Sequence, residues 1–134
     1  MCNALTIDVE DYFHVAALAP NIHRDSWSSR ESRVVGNTQK LLAIFEKFDV
    51  RGTFFVLGWV AELYPQLVKD IAAGGHEIAC HGFSHRLVYE QSPEEFYKET
   101  LRAKNLLEDI TGAAITGYRA ASYSIVRDSL WALD

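Results

Sequence analysis

The chain has 134 residues, 49% of them hydrophobic, and a formal net charge of −5, which allows one modest domain with a buried core and argues against disorder. Its 13 Lys and Arg residues are scattered rather than gathered into a stripe, so nucleic acid is excluded as a natural partner. Cys2 and Cys80 are the only cysteines and fit neither a disulfide scaffold nor a zinc finger. The start, Met1-Cys2-Asn3-Ala4-Leu5, lacks a signal-peptide pattern, and no segment has the ~20 apolar residues of a membrane span, so a cytoplasmic location is expected.

In chain order, Ala4–Val9 reads as a short strand ending in the acidic run Asp8-Val9-Glu10-Asp11. The stretch 11–36 is long and polar, contains Trp27, and is expected to decorate a site as a loop. Leu41, Ile44, Phe45 and Phe48 recur at helical spacing and predict one apolar face on a helix from about Asn37 to Phe48. Gly52–Val56 reads as a second strand, Trp59–Ala73 as a helix stopped by Gly74-Gly75, and His76–Cys80 as a third strand. Ser92-Pro93-Glu94-Glu95 is a capping box opening a long helix on which Ala103, Leu106, Leu107 and Ile110 share a face, ended by Gly112. Ile115–Arg119 predicts a fourth strand and Asp128–Trp131 the first turn of another helix. This alternation argues an α/β fold with a parallel sheet, whose ligand groups gather at the carboxyl ends of the strands, where Asp8, His81 and Arg119 fall.

Strand side chains alternate, so Asp8 and Glu10 point one way while Val9 turns into the core; Asp11 joins them only if the strand ends first. Two crowded carboxylates repel unless a cation holds them, and such crowding tunes one toward base chemistry. A solvated loop start or a helix N-cap is the competing reading of the same tetrad. His81 and His85, four residues apart around Gly82, can converge on a metal ion, although a lone histidine pair is more often incidental. His14, His23 and His76 have no partner at ligand spacing and read as surface or packing residues. Cys80 falls on the face opposite His81 and reads as a buried thiol. Arg119, at a strand end, is placed to orient a carboxylate. Tyr118, Tyr123, Trp27 and Trp59 suit sugar faces or core packing equally.

Taken in order, Leu5-Thr6-Ile7-Asp8-Val9-Glu10-Asp11, His81-Gly82-Phe83-Ser84-His85 and Tyr118-Arg119-Ala120-Ala121-Ser122 resemble the motifs of the polysaccharide deacetylase, or NodB-homology, family. The acidic start is most similar to the branch associated with bacterial exopolysaccharide loci. The resemblance implies a distorted (β/α) barrel, of which residues 1–134 would be the N-terminal portion, and removal of acetyl groups from N-acetylated sugars. It implies that Asp8 is the base, that Arg119 braces it, and that a divalent metal, usually zinc, is held by His81, His85 and Glu10, with Asp11 as the alternate acid. Gly82 stands where many members carry Ser or Thr, with Ser84 nearby, Glu10 where an aspartate is common, and Ala121 where a proline is common. The family's later motifs, including the histidine that protonates the leaving amine, are expected beyond Asp134.

The leading expectation is therefore a metal-dependent carbohydrate N-deacetylase, with an N-acetylated carbohydrate as partner. Glu10 and Gly82 keep open an allantoinase-like amide hydrolase that works without metal. A carbohydrate-binding or scaffold role without turnover is the third expectation. The sugar, its linkage and the oligomeric state are not legible.

Overall fold

The computed structural model describes residues 3–134, so Cys2 lies outside it. Three parallel strands, β1 (Thr6–Val9), β2 (Thr53–Val56) and β3 (Glu77–Cys80), form one sheet in the order β1-β2-β3. The register sets Thr6 beside Thr53 and Glu77, Asp8 beside Phe55 and Ala79, and Val9 beside Val56 and Cys80. Because side chains alternate, Val9, Phe54, Val56, Ile78 and Cys80 share one face and enter the main hydrophobic core. Thr6, Asp8, Phe55 and Ala79 line the other face. The sequence pattern thus assigns one side of the sheet to packing and leaves the other for polar chemistry.

Helix α1 (Val34–Lys47) joins β1 to β2. It starts three residues earlier than the sequence pattern predicts, so its inward stripe runs through Val34, Thr38, Leu42 and Phe45. Of the four expected face residues only Phe45 is fully buried; Ile44 is 50% and Phe48 65% exposed. Between β2 and β3 the single expected helix is two, α2 (Gly58–Leu63) and α3 (Pro65–Ala73). The break is at Tyr64, whose φ of −130° and ψ of 58° lie outside the helical region, as the ring of a following proline requires. Gly75 then turns the chain with φ of 75°.

Helix α4 (Pro93–Thr111) opens with the capping box in full: Ser92 Oγ accepts the Glu95 N–H at 3.2 Å, and the Glu95 carboxylate accepts the Ser92 N–H at 2.8 Å. It ends at Gly112, φ 69°, a conformation that costs glycine little. Ala103 and Leu107 are fully buried, with Leu106 and Ile110 packed beside them. No helix among the described residues is long and apolar enough to cross a membrane.

The expected fourth strand shrinks to one parallel bridge, Cys80 to Tyr118, closed by Cys80 N–H to Gly117 O at 2.8 Å and Arg119 N–H to Cys80 O at 2.9 Å. Before the bridge, the Ile115 N–H donates to the Glu108 carboxylate of α4 at 2.9 Å. Residues Arg127–Leu133 make 3₁₀ turns broken at Ser129 instead of an α-helical turn. The predicted loop after β1 holds three short 3₁₀ turns, Tyr12–His14, Ala16–Leu18 and Arg24–Ser29.

The histidine loop docks on the start of α2, where Gly58 N–H donates to Gly82 O at 2.8 Å and Trp59 N–H to Phe83 O at 2.9 Å. This approach needs Gly58: a Cβ there would stand 2.5 Å from the Phe83 ring and 3.1 Å from both Phe83 Cα and Ala103 Cβ. Gly58→Ala is expected to destabilise the fold by about 1–3 kcal/mol through overpacking, read as a lower denaturant midpoint with an unchanged slope.

Candidate active site

Asp8 is the last polar residue on the inward-open face of β1. Its Oδ1 accepts a hydrogen bond from Arg119 Nη1 at 2.5 Å. The other guanidinium nitrogen, Nη2, donates to Thr6 Oγ1 at 2.8 Å, and the guanidinium carbon lies 4.0 Å from the centre of the Phe55 ring. A guanidinium held by a carboxylate, a hydroxyl and a π-face has little rotational freedom.

The Arg119 backbone also fixes His81. Its carbonyl oxygen is 2.8 Å from His81 Nδ1; because a carbonyl only accepts, Nδ1 carries the proton and Nε2 presents a lone pair. That Nε2 is buried and has no protein partner. His85 reaches the same point through a loop turned by positive φ at Gly82 (76°) and His85 (52°). Ser84, between them, ties the loop to α4 by donating to the Glu99 carboxylate at 2.7 Å. A side chain at Gly82 would meet only the Tyr118 hydroxyl at 4.0 Å, so the positive φ, not space, favours glycine here.

Glu10 Oε2 comes within 3.0 Å of His85 Nε2 without making an aligned hydrogen bond. Burial, then the negative charge of Asp8, pushes Glu10 up to about 7. Burial, then neighbouring His81, pushes His85 down to about 4, and burial also lowers His81. The pair is therefore not a charged salt bridge. It is two groups crowded at one point, and with His81 their ligand atoms all lie within 4.8 Å of one another. A buried donor set of two imidazoles and one carboxylate is the environment a divalent cation relieves.

Asp11, the alternate acid, serves elsewhere. Its buried carboxylate accepts from Ser32 Oγ at 2.6 Å, Arg33 N–H at 3.0 Å and Val34 N–H at 3.3 Å, capping the start of α1. The carboxylate standing beside the imidazoles is Glu10. The acidic tetrad thus divides between a site and a helix cap, the two readings it carries as sequence.

Cys80 is buried in the core, which pushes its thiol up to about 11. His23 is exposed, and His76 accepts the Gly52 N–H at 3.3 Å at the opposite end of β2 from the site. Tyr123 is exposed, whereas Tyr118 packs edge-on to Phe96. Trp27 and Trp59 pack with Phe13 and His14 in one edge-to-face aromatic cluster. His14, expected at the surface or in packing, is a buried packing residue of this cluster, and both it and Arg24 border the site; the signal in the sequence is the aromatic Tyr12-Phe13-His14 directly after the acids. A cavity of about 260 Å³ lies beside His85, walled by Phe13, His14, Arg24, Trp27 and Leu87.

Residues 25–133 match the family model described as polysaccharide deacetylase. A peptidoglycan-N-acetylglucosamine deacetylase of Bacillus cereus is 32% identical over 98 residues, covering 72% of this chain and 36% of that protein. A peptidoglycan deacetylase of Helicobacter pylori is 33% identical over 81 residues, 60% of this chain and 28% of that one. The chain thus spans about a third of the length of these relatives. The crystal structure of a putative polysaccharide deacetylase from Mycobacterium smegmatis superposes with a TM-score of 0.78 at 30% identity, over 97% of this chain and 46% of that one. With its α/β architecture and a family match over most of its length, the chain belongs to the polysaccharide deacetylase family.

Proposed function

We propose that the protein is a metal-dependent N-deacetylase of an amino-sugar glycan. The observation that carries this reading is the Arg119-braced Asp8 beside the buried Glu10, His81 and His85 set. The deacetylase names of the relatives support the substrate class, and the acidic start Asp8–Phe13 supports the exopolysaccharide branch.

The residues present fit a divalent ion: Glu10 Oε2 and His81 Nε2 are buried and lack protein partners, and two nitrogens with one oxygen suit zinc. Glu10, His81 and His85 would hold it. When bound, the ion polarises the acyl carbonyl and lowers the pKa of a coordinated water. Asp8 accepts the Arg119 bond through Oδ1, which leaves Oδ2 to take the proton of the attacking water. The water oxygen bonds to the acyl carbon, the C–N bond breaks, and the amine leaves with a proton from a further acid. Arg119 keeps Asp8 oriented through both steps, and its carbonyl keeps His81 in one tautomer.

In the full-length protein, Glu10→Gln and His85→Ala are expected to reduce bound zinc from about one per chain to near none, measured by elemental analysis. Asp11→Ala should leave zinc unchanged while costing about 2 kcal/mol of stability through the lost cap, read from thermal melts. Stoichiometric zinc in the wild type and loss of activity with a chelator would count against the metal-independent reading.

Asp8→Asn should keep zinc and lower acetate release from N-acetylglucosamine oligomers by about 10²–10⁴-fold, the range of general-base catalysis. Near wild-type turnover by this variant would remove Asp8 from the base role. Absence of acetate release from any acetylated sugar by the zinc-loaded wild type would favour a binding or scaffold role.

A further inference from the structure

Between the two imidazoles of the site every backbone carbonyl is held. Gly82 O accepts from Gly58 N–H at 2.8 Å and Phe83 O from Trp59 N–H at 2.9 Å, both at the start of α2. Ser84 O accepts from the Arg24 guanidinium, and the Ser84 hydroxyl donates to the Glu99 carboxylate on α4, 2.7 Å from each oxygen. The first two bonds run from backbone to backbone and do not depend on side-chain identity. At Ser84 alone the carbonyl and hydroxyl are held by side chains, and of the charged groups around Arg24, Glu99 acts on it most strongly.

The two imidazoles are fixed in different ways. His81 follows β3 directly: its N–H donates to Val56 O at 3.0 Å, and the Arg119 carbonyl, 2.8 Å from Nδ1, orients its ring. His85 is buried, yet no other residue bonds its Nδ1, the atom through which a metal-binding imidazole is ordinarily oriented. The direction of the His85 ring is therefore inherited from its backbone. That backbone stands at φ 52°, a left-handed conformation that a residue with a side chain keeps only where its surroundings impose it. The peptide entering it is that of Ser84, held at its carbonyl by Arg24 and through the neighbouring hydroxyl by Glu99. Gly82 offers no side chain that could brace the loop from within.

We propose that Glu99 is a positioning residue of the site: through Ser84 it keeps His85 in its left-handed backbone, with Nε2 at 3.0 Å from Glu10 Oε2, and so sets the affinity of Glu10, His81 and His85 for a divalent ion. The assignment rests on the metal reading above. Glu99 itself takes no part in the bond-breaking step.

The test uses the full-length protein, with zinc titrated against a competing chelator and cobalt(II) as a spectroscopic substitute. Glu99→Ala and Ser84→Ala should each weaken zinc binding by about 10–100-fold, the usual cost of losing a group that orients a metal ligand, and should move the visible bands of the cobalt-loaded protein. The double variant should bind zinc no more weakly than either single one, because both changes remove the same bond. Glu99→Gln keeps an acceptor for the Ser84 hydroxyl and should recover zinc affinity to within about threefold of the wild type. In the metal-free protein, acylation of His85 by diethyl pyrocarbonate, read by mass spectrometry, should be severalfold faster in Glu99→Ala, as the buried ring becomes accessible. Unchanged zinc affinity and cobalt bands in Glu99→Ala, beside a wild type that binds zinc, would overturn the positioning role and leave the metal reading intact, as would additive losses in the double variant. A wild type that binds no zinc, with His85 acylation still accelerated in Glu99→Ala, would instead support the hold on His85 and sink the metal reading.

Discussion

Arg119 joins the three strands at the point where the site is built. Its N–H bonds Cys80 of β3, its carbonyl holds His81, its guanidinium bonds Asp8 and Thr6 of β1, and it lies over Phe55 of β2. A single parallel bridge is enough to place it because the neighbours on both sides of that bridge are hydrogen-bonded. The same residue therefore sets the orientation of a carboxylate and the tautomer of an imidazole. A change that moved the 117–119 backbone would disturb both together, which is why the short bridge matters more than its length implies.

Around that anchor the protein concentrates unfavourable electrostatics. Glu10 is buried beside the charge of Asp8 and is pushed up to about 7, while two neighbouring imidazoles are held neutral by burial. A site selected for stability alone would pair or remove these groups. Their retention together, on a scaffold whose other face is an ordinary apolar core, is the pattern expected where function opposes stability. A cation shared by the three side chains is the simplest relief, since it makes the ionised carboxylate and neutral imidazoles the favoured forms.

Much of this was legible because it follows from local periodicity. The two-residue repeat of a strand put Asp8 and Glu10 on one side of Val9, and the Ser92–Glu95 box with Gly112 marked both ends of α4. Failures came where a distant group decided the local outcome. The α1 face was misjudged because the helix starts at Val34, under a cap supplied by Asp11 from the far side of the loop. The fourth strand shortens to the Cys80–Tyr118 bridge, and the Ile115 N–H before it is held by Glu108 of α4. The place of His14 beside the site was invisible because it depends on Trp27 and Trp59, which approach only in the fold.

The Asp11 cap has a wider consequence. It ties the first residue of the loop after β1 to its last ones, Ser32 and Arg33, so the loop is closed on itself as a compact Ω-type unit. Within it, short 3₁₀ turns bring few hydrogen bonds of their own, and position is set by aromatic packing and by the Arg24 bond to the histidine loop. The sheet thus fixes Asp8 and the histidine loop, while a separately closed loop packs beside them. Such a division lets the loop differ in shape without moving Asp8, Glu10 or the histidines, because none of their positioning bonds, apart from the chain itself, comes from residues 12–31 except the Arg24 bond to Ser84.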